Sequence, residues 1–166
     1  MAGLILLQIK GPEVKGDSDT VGHEGWIQLN TFSIGGSQDG TFQSSGKYAN
    51  RGQANVQDLF CTKVVDASSA LLMNNMMGGE PFDEATLRVL AITAGKPEVL
   101  YEVVFKHIIV SSYNVTASAG DGGDIGESVS FNFEEVSYDW TKRDAKGRSE
   151  AKVRAAWNTR EGQAKG

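Results

Sequence analysis

A mainly β fold with a single helix, either a β-sandwich or a closed barrel, is what this sequence predicts. Short apolar runs with period-two alternation recur along the chain, each bounded by turn residues. Only one stretch has helical spacing between recognisable end signals. The turns are glycine-built, with 20 glycines against 3 prolines. A chain of 166 residues can bury one core. No repeat or second unit is evident, so residues 1–166 are read as one domain.

Leu4 to Lys10 opens apolar on both faces, as a buried strand does. A polar, glycine-bearing loop follows from Lys15 to Gly25. Trp26 to Gly35 reads as a strand whose apolar phase shifts from Ile27 and Leu29 to Phe32 and Ile34, which predicts a bulge. Residues Gly35 to Gln53 are rich in Gly, Ser, Gln and Asn without apolar periodicity, and a loop of that length is often functional. Strand character returns over Ala54 to Val65, with Val56, Leu59 and Phe60 expected in the core. The helix is expected between an Asp66 N-cap and a Gly78-Gly79 stop. Its core face is assigned to Ala67, Ala70, Leu71, Asn74 and Met77, with Met73 and Met76 as core filling. Ala85 to Thr93 and Val99 to Val115 read as strands, the latter long enough to be two meeting at Ser111-Ser112. Ser118 to Gly126 is a turn. In Val129 to Trp140 the apolar set moves from odd to even positions at Glu134-Glu135, which again predicts a bulge. Ala151 to Thr159 suits strand or helix.

The composition excludes several classes of function. No apolar run approaches a membrane span of roughly 18 residues. Leu4 to Leu7 is too short for a signal-peptide core, so the chain is expected to fold in the cytoplasm and to leave by a route without a cleaved leader. Cys61 is the only cysteine, which excludes an internal disulfide, and with only His23 and His107 a zinc site is not expected. Charge is asymmetric. Residues 142–166 hold eight basic and three acidic residues, +5 net, which leaves −10 on the first 141 residues of a chain whose total is −5. Few aromatics and an acidic remainder argue against nucleic acid and for a solvated or self-complementary surface.

The sequence carries no recognisable catalytic constellation. Asp17 and Asp19 open like a calcium loop, but Val21 and Gln28 stand at later ligand positions. Gly40 to Lys47 has five residues between its glycines and Tyr48 after the lysine, so it is no P-loop. Gly36 to Gly40 lacks the spacing of a nucleophile elbow. Glu134 and Glu135 point to opposite faces of a strand and make no acid/base pair. Cys61 reads as a small core residue. Asn114-Val115-Thr116 matches a glycosylation acceptor in a chain with no expected route to that machinery. No enzyme, cofactor or metal is predicted. Many strands and a long uncharged loop suit assembly through sheet edges instead.

Five blocks carry a resemblance. They are Val14-Lys15-Gly16-Asp17-Ser18-Asp19 with His23; Ile27-Gln28-Leu29 with Phe32-Ser33-Ile34-Gly35; Val56-Gln57-Asp58-Leu59-Phe60-Cys61-Thr62-Lys63 with Asp66-Ala67-Ser68-Ser69 and Leu71; His107 to Tyr113; and Trp157-Asn158-Thr159-Arg160. In order and spacing the sequence resembles the haemolysin-coregulated protein (Hcp) family of type VI secretion. Aliphatic Ile34 and Ala70 depart from its pattern. The resemblance implies a compact two-sheet β-barrel with one flanking helix and a long extended loop, like a phage tail-tube subunit. It implies a homo-hexameric ring, rings stacked into a hollow tube, a spike protein and contractile sheath as partners, and small effector proteins in the lumen. By position, Ser33 is implied to face the lumen. The loop with Gln38, Asp39, Thr41, Gln43, Lys47, Tyr48, Asn50 and Arg51 is implied to reach a neighbouring ring. The +5 tail against the acidic remainder is expected to help rings stack. The other readings are a tail-tube protein of a phage or related contractile particle, and a small β-barrel binding module working alone.

Overall fold

The computed structural model describes residues 3–38, 54–120, 122–144, 146–159 and 163–164. Eleven strands and one helix are described: β1 (Gly3–Lys10), β2 (Ile27–Leu29), β3 (Thr31–Ser33), β4 (Gly36–Gln38), β5 (Ala54–Val56), β6 (Leu59–Val64), α1 (Ser69–Gly78), β7 (Phe82–Thr93), β8 (Lys96–Thr116), β9 (Gly126–Arg143), β10 (Ser149–Asn158) and β11 (Gln163–Ala164). Nine strands form one antiparallel sheet in the order β11-β10-β9-β8-β7-β1-β2, with β6 joined to β9 and β3 joined to β6. Strand β9 carries two neighbours along one edge, β6 at Gly126–Phe131 and β10 from Glu135 onward. The sheet therefore curls into a nearly closed barrel around Leu7, Ile9, Leu59, Leu87, Phe105 and Phe131, all buried.

The phase change between Leu29 and Phe32 is a change of partner, not a bulge. Strand β2 pairs with β1, whereas β3 pairs with β6. Asn30 marks the corner, its N–H donating to the Thr62 carbonyl at 2.7 Å. Strands that turn between sheets at a bend are a general way of making such a corner. The flip at Glu134-Glu135 is shared by two strands at one level. The buried set passes from Phe133 to Val136 on β9 and from Phe105 to Ile108 on β8. Pairing stays in register across that level. His107 makes the turn at φ 53°, and its Nδ1 lies 2.9 Å from Glu134 Oε2. The single shift of register between β8 and β9 falls at Ser111, inside one continuous strand rather than between two.

Residues 36–38 and 54–56 form a two-stranded stalk, so the long polar segment begins and ends in paired strands. Ala54–Val56 belongs to this stalk and does not run on into β6. Phe60 is not a core residue: it is 42% exposed, while Leu59 and Cys61 beside it are buried. Strand alternation forces that outcome once Leu59 points inward.

The helix is shorter than expected and turned the other way. Ser68 is the N-cap, and Asp66 lies two residues before it. The stop is as predicted, with Gly79 in the left-handed region at φ 65°. The buried face is Ser69, Leu72 and Asn75, whereas Leu71, Met73 and Met77 are exposed. Only Met76 of the three methionines packs on the core. Buried charges ahead of the helix fix its rotation, which overrides the apolar stripe. The last predicted segment is strand β10.

Candidate functional site

The four strands β3, β6, β9 and β8 lie side by side and present one outward face. Register places Thr31, Thr62, Ser128 and Asn114 in one row across it. The next row is Ser33, Phe60, Ser130 and Ser112. Apart from Phe60, every side chain in the two rows is a hydroxyl or an amide. The Thr31 and Thr62 hydroxyls bond each other across the strands. Below the rows, Asp58 accepts hydrogen bonds from Ser111 Oγ at 2.6 Å and Asn132 Nδ2 at 2.9 Å. The two rows form a panel that carries no charge, and Asp58 and the exposed Val64 border it on the same face.

One side of this panel ends at the edge of β3, and the other ends at β8, against which α1 packs. Among the described residues, β3 pairs only with β6, and Ile109–Thr116 of β8 pair only with β9. An open edge offers unpaired N–H and C=O groups to another strand.

Directly behind the panel is a buried polar cluster. The Lys63 ammonium, on a side chain 1% exposed, contacts Glu127, whose side chain is fully buried. Lys63 Nζ also donates to Asp66 Oδ1 at 2.9 Å, the Val64 carbonyl at 3.1 Å and Ser69 Oγ at 3.3 Å. Ser69 Oγ lies 2.9 Å from Glu127 Oε1, and Tyr113 OH donates to Glu127 Oε2. Asp66 in turn receives the N–H of Ser68 at 2.9 Å. One lysine thus meets two carboxylates whose remaining lone pairs are hydrogen-bonded, the condition for tolerating buried charge. The cluster ties β6, β9 and the start of α1 into one rigid backing.

Two groups behind the panel resist ionisation. Burial pushes the Cys61 thiol from 9.0 up to about 12. Burial first, and then the Glu127 carboxylate, push the Tyr113 phenol from 10.0 up to about 12. The unfolded chain sheds both protons at lower pH. Their contribution is therefore whole below about pH 9 and is lost as the pH climbs toward 12. Urea midpoints measured from pH 8 to 11 should fall with rising pH. A Cys61→Ala variant should begin its fall about one unit later, where Tyr113 contributes together with Tyr101 and Tyr138, whose phenols burial also pushes up. A thiol reagent should label Cys61 only in the unfolded chain.

The sequence-predicted residues fall in three groups. Ser33 is exposed on the panel. Gln38 ends the exposed β4 of the stalk. Asp39, Thr41, Gln43, Lys47, Tyr48, Asn50 and Arg51 lie outside the described residues. Sequence reasoning missed the Lys63 cluster, although a lysine inside an alternating apolar strand was a signal for it. Four of the six described basic residues at the basic end of the chain, from Lys142 on, have acidic partners: Lys142 with Glu150, Arg143 with Glu98, Arg148 with Asp144 and Arg154 with Asp139. Among the described residues no group of three or more His, Cys, Asp and Glu is placed to hold a metal. No helix among them is long and apolar enough to cross a membrane.

A nearly closed β-barrel with one short helix and a polar outer face places the chain among mainly β barrel proteins. The family model described as type VI secretion system effector, Hcp, matches residues 6–140. Protein hcp1 of Pseudomonas aeruginosa is 32% identical over 111 residues, 66% of this chain and 67% of that protein. A solved structure of a type six secretion system protein superposes with a TM-score of 0.90 at 25% identity, over 99% of this chain and 100% of its own. Hcp1 from Salmonella typhimurium shares the fold, with a TM-score of 0.78 at 20% identity over 99% of each chain. The chain belongs to the Hcp family.

Proposed function

We propose that this chain is the structural subunit of the type VI inner tube. Six copies close into a ring, rings stack into a hollow tube, and the polar panel faces the lumen. The observation that carries this reading is the polar outer face that ends at the unpaired edge of β3. A strand of one copy can continue the sheet of the next through backbone hydrogen bonds. Repeated head-to-tail addition closes when the rotation permits. Two uncharged rows of mostly small side chains suit a channel that passes small effector proteins without binding any of them by charge. Ser33 is a lumen contact in this arrangement. Gln38 and the segment carrying Asp39, Thr41, Gln43, Lys47, Tyr48, Asn50 and Arg51 extend toward the adjacent ring. The tube meets a spike protein at its tip and a contractile sheath around it. The protein acts as a structural part and not as an enzyme, is assembled in the bacterial cytoplasm, and is secreted without a cleaved signal peptide. Residues 1–166 serve as one tube domain.

Negative-stain images of the pure protein should show annular particles with an open centre. A monomer at all concentrations in analytical ultracentrifugation would overturn the reading. Ser33→Trp should leave the rings intact and impair retention of effector. A ring that falls apart would place Ser33 at a subunit contact instead. Because exposed ion pairs contribute only about 0–1 kcal/mol each and are screened by salt, raised salt should loosen stacked tubes before it dissociates rings.

A further inference from the structure

The inner face of the barrel wall runs on past the part that the core covers. Register sets Ile5, Val89, Tyr101, Trp140 and Val153 in one row across β1, β7, β8, β9 and β10. The Phe32 ring of β3 stacks on Tyr101 with centroids 6.5 Å apart, and the Tyr101 and Trp140 centroids are 6.3 Å apart. Cover stops there. Trp140 is 49% exposed and Val153 is 63% exposed, on the two strands beyond Tyr101. Because β3 is the strand that reaches this row, the apolar ledge lies on the β3 side of the panel. On the other side of the panel, α1 packs on β8. The helix carries Met73 and Met77 one turn apart, 42% and 68% exposed. One chain thus has two uncovered apolar surfaces, on opposite sides.

We propose that the ledge of Trp140 and Val153 receives Met73 and Met77 of a second copy of this chain. The proposal rests on the reading of the chain as a ring subunit and goes further, by naming the surfaces that meet between neighbours. Head-to-tail addition joins two different patches of one molecule, and these two patches differ and stand on opposite sides. Charge favours the same pairing. Residues 80–84, which follow α1, carry Glu80, Asp83 and Glu84 and no basic residue, −3 net. Residues 142–152, which flank the ledge, carry five basic and two acidic residues, +3 net. Opposite charges around an apolar centre steer the encounter and disfavour wrong registers, while the apolar contact holds the pair. A like-to-like contact would set −3 against −3 or +3 against +3. Methionine suits the helix side, since its unbranched thioether adapts to the edge of an aromatic ring.

The test uses the full chain, with Met77→Cys and Val153→Cys made singly and together and treated with a short bismaleimide. The native Cys61 is 1% exposed and does not react in the folded protein. The double variant should give a ladder of covalent oligomers on a denaturing gel. Each single variant should give none, and an equal mixture of the two singles should stop at linked pairs. Independently, Met77→Glu should keep the wild-type circular dichroism spectrum, because the side chain it alters is exposed in the monomer. It should raise the concentration at which rings half-dissociate about tenfold or more, the loss expected of a central apolar contact. Met77→Leu should leave that concentration nearly unchanged. Rings seen by negative stain without a ladder in the double variant overturn the proposal. Single variants that cross-link to themselves as strongly as the double, or Met77→Glu rings as stable as wild type, overturn it too. Absence of rings in the wild type overturns the tube reading instead.

Discussion

Lys63→Ala should lower the unfolding free energy by about 3–5 kcal/mol, the usual result of breaking a buried ion pair from one side. The deleted ammonium is what balances Glu127 and Asp66, both held by short contacts in the interior. Nothing else among their described partners is positive: Tyr113 and Ser69 are neutral donors. A loss of that size is comparable with much of the stability of a domain of this kind, so the variant should yield little soluble protein at 37 °C. The check is a urea titration at neutral pH followed by tryptophan fluorescence. Lys63→Met combined with Glu127→Gln should recover part of the loss. The glutamine oxygen accepts from one of the Tyr113 and Ser69 hydroxyls, its NH2 group donates to the other, and no unbalanced carboxylate remains at position 127. If the single alanine variant costs less than about 1 kcal/mol, the cluster is not holding its charges in a low-dielectric interior.

The second large effect is expected at a position with no side chain. A Cβ added to Gly16 would lie 2.6 Å from the Ile27 Cα and 2.6 Å from the Trp26 carbonyl oxygen. Both are backbone atoms, so no rotamer change relieves the contact. The loop here is stitched to the start of β2 by Gly16 N–H to the Gly25 carbonyl at 2.8 Å and Ser18 N–H to the Trp26 carbonyl at 3.1 Å. That loop seats Trp26 against Leu6 and Leu90 in a small second core. Gly16→Ala should therefore cost at least the roughly 1–3 kcal/mol of an overpacked site, and should raise amide exchange over residues 16–26. Gly22→Ala is the control. Gly22 also lies in this loop, at φ 79°, but a Cβ there meets nothing within 4 Å. It should show only the roughly 1 kcal/mol of a strained left-handed residue. Equal costs for the two would mean that the loop yields as a whole and does not clamp Trp26.

The helix face shows where local pattern misleads. Leu71 and Met77 lie at helical spacing and read as a core stripe, yet they are exposed, while Ser69 and Asn75 are buried beside Leu72. Apolar spacing registers only the gain from burying hydrocarbon. It does not register Lys63, which is six residues before Ser69 and fixes the rotation of α1 through the Ser69 hydroxyl. The residues carrying that constraint stood in the sequence as Lys63, Asp66, Ser68 and Ser69. Their meeting with Glu127, 58 residues beyond Ser69, did not.

The sequence by itself determined the class of the fold, the approximate spans of β1, β7, β8 and β9, the stop of the helix at Gly79 and the interior place of Cys61. These follow from alternation, turn chemistry and short-range sterics, which act between residues a few positions apart. It also determined membership of the Hcp family, because five blocks occur in order along the chain. The tertiary structure alone decided that Leu29 and Thr31 serve different partners, that β8 and β9 turn together at His107 and Glu134, and that Phe60 faces outward among Ser33 and Ser130. Each of those depends on which distant strand lies alongside, and pairing energy is shared between two segments that local pattern reads one at a time.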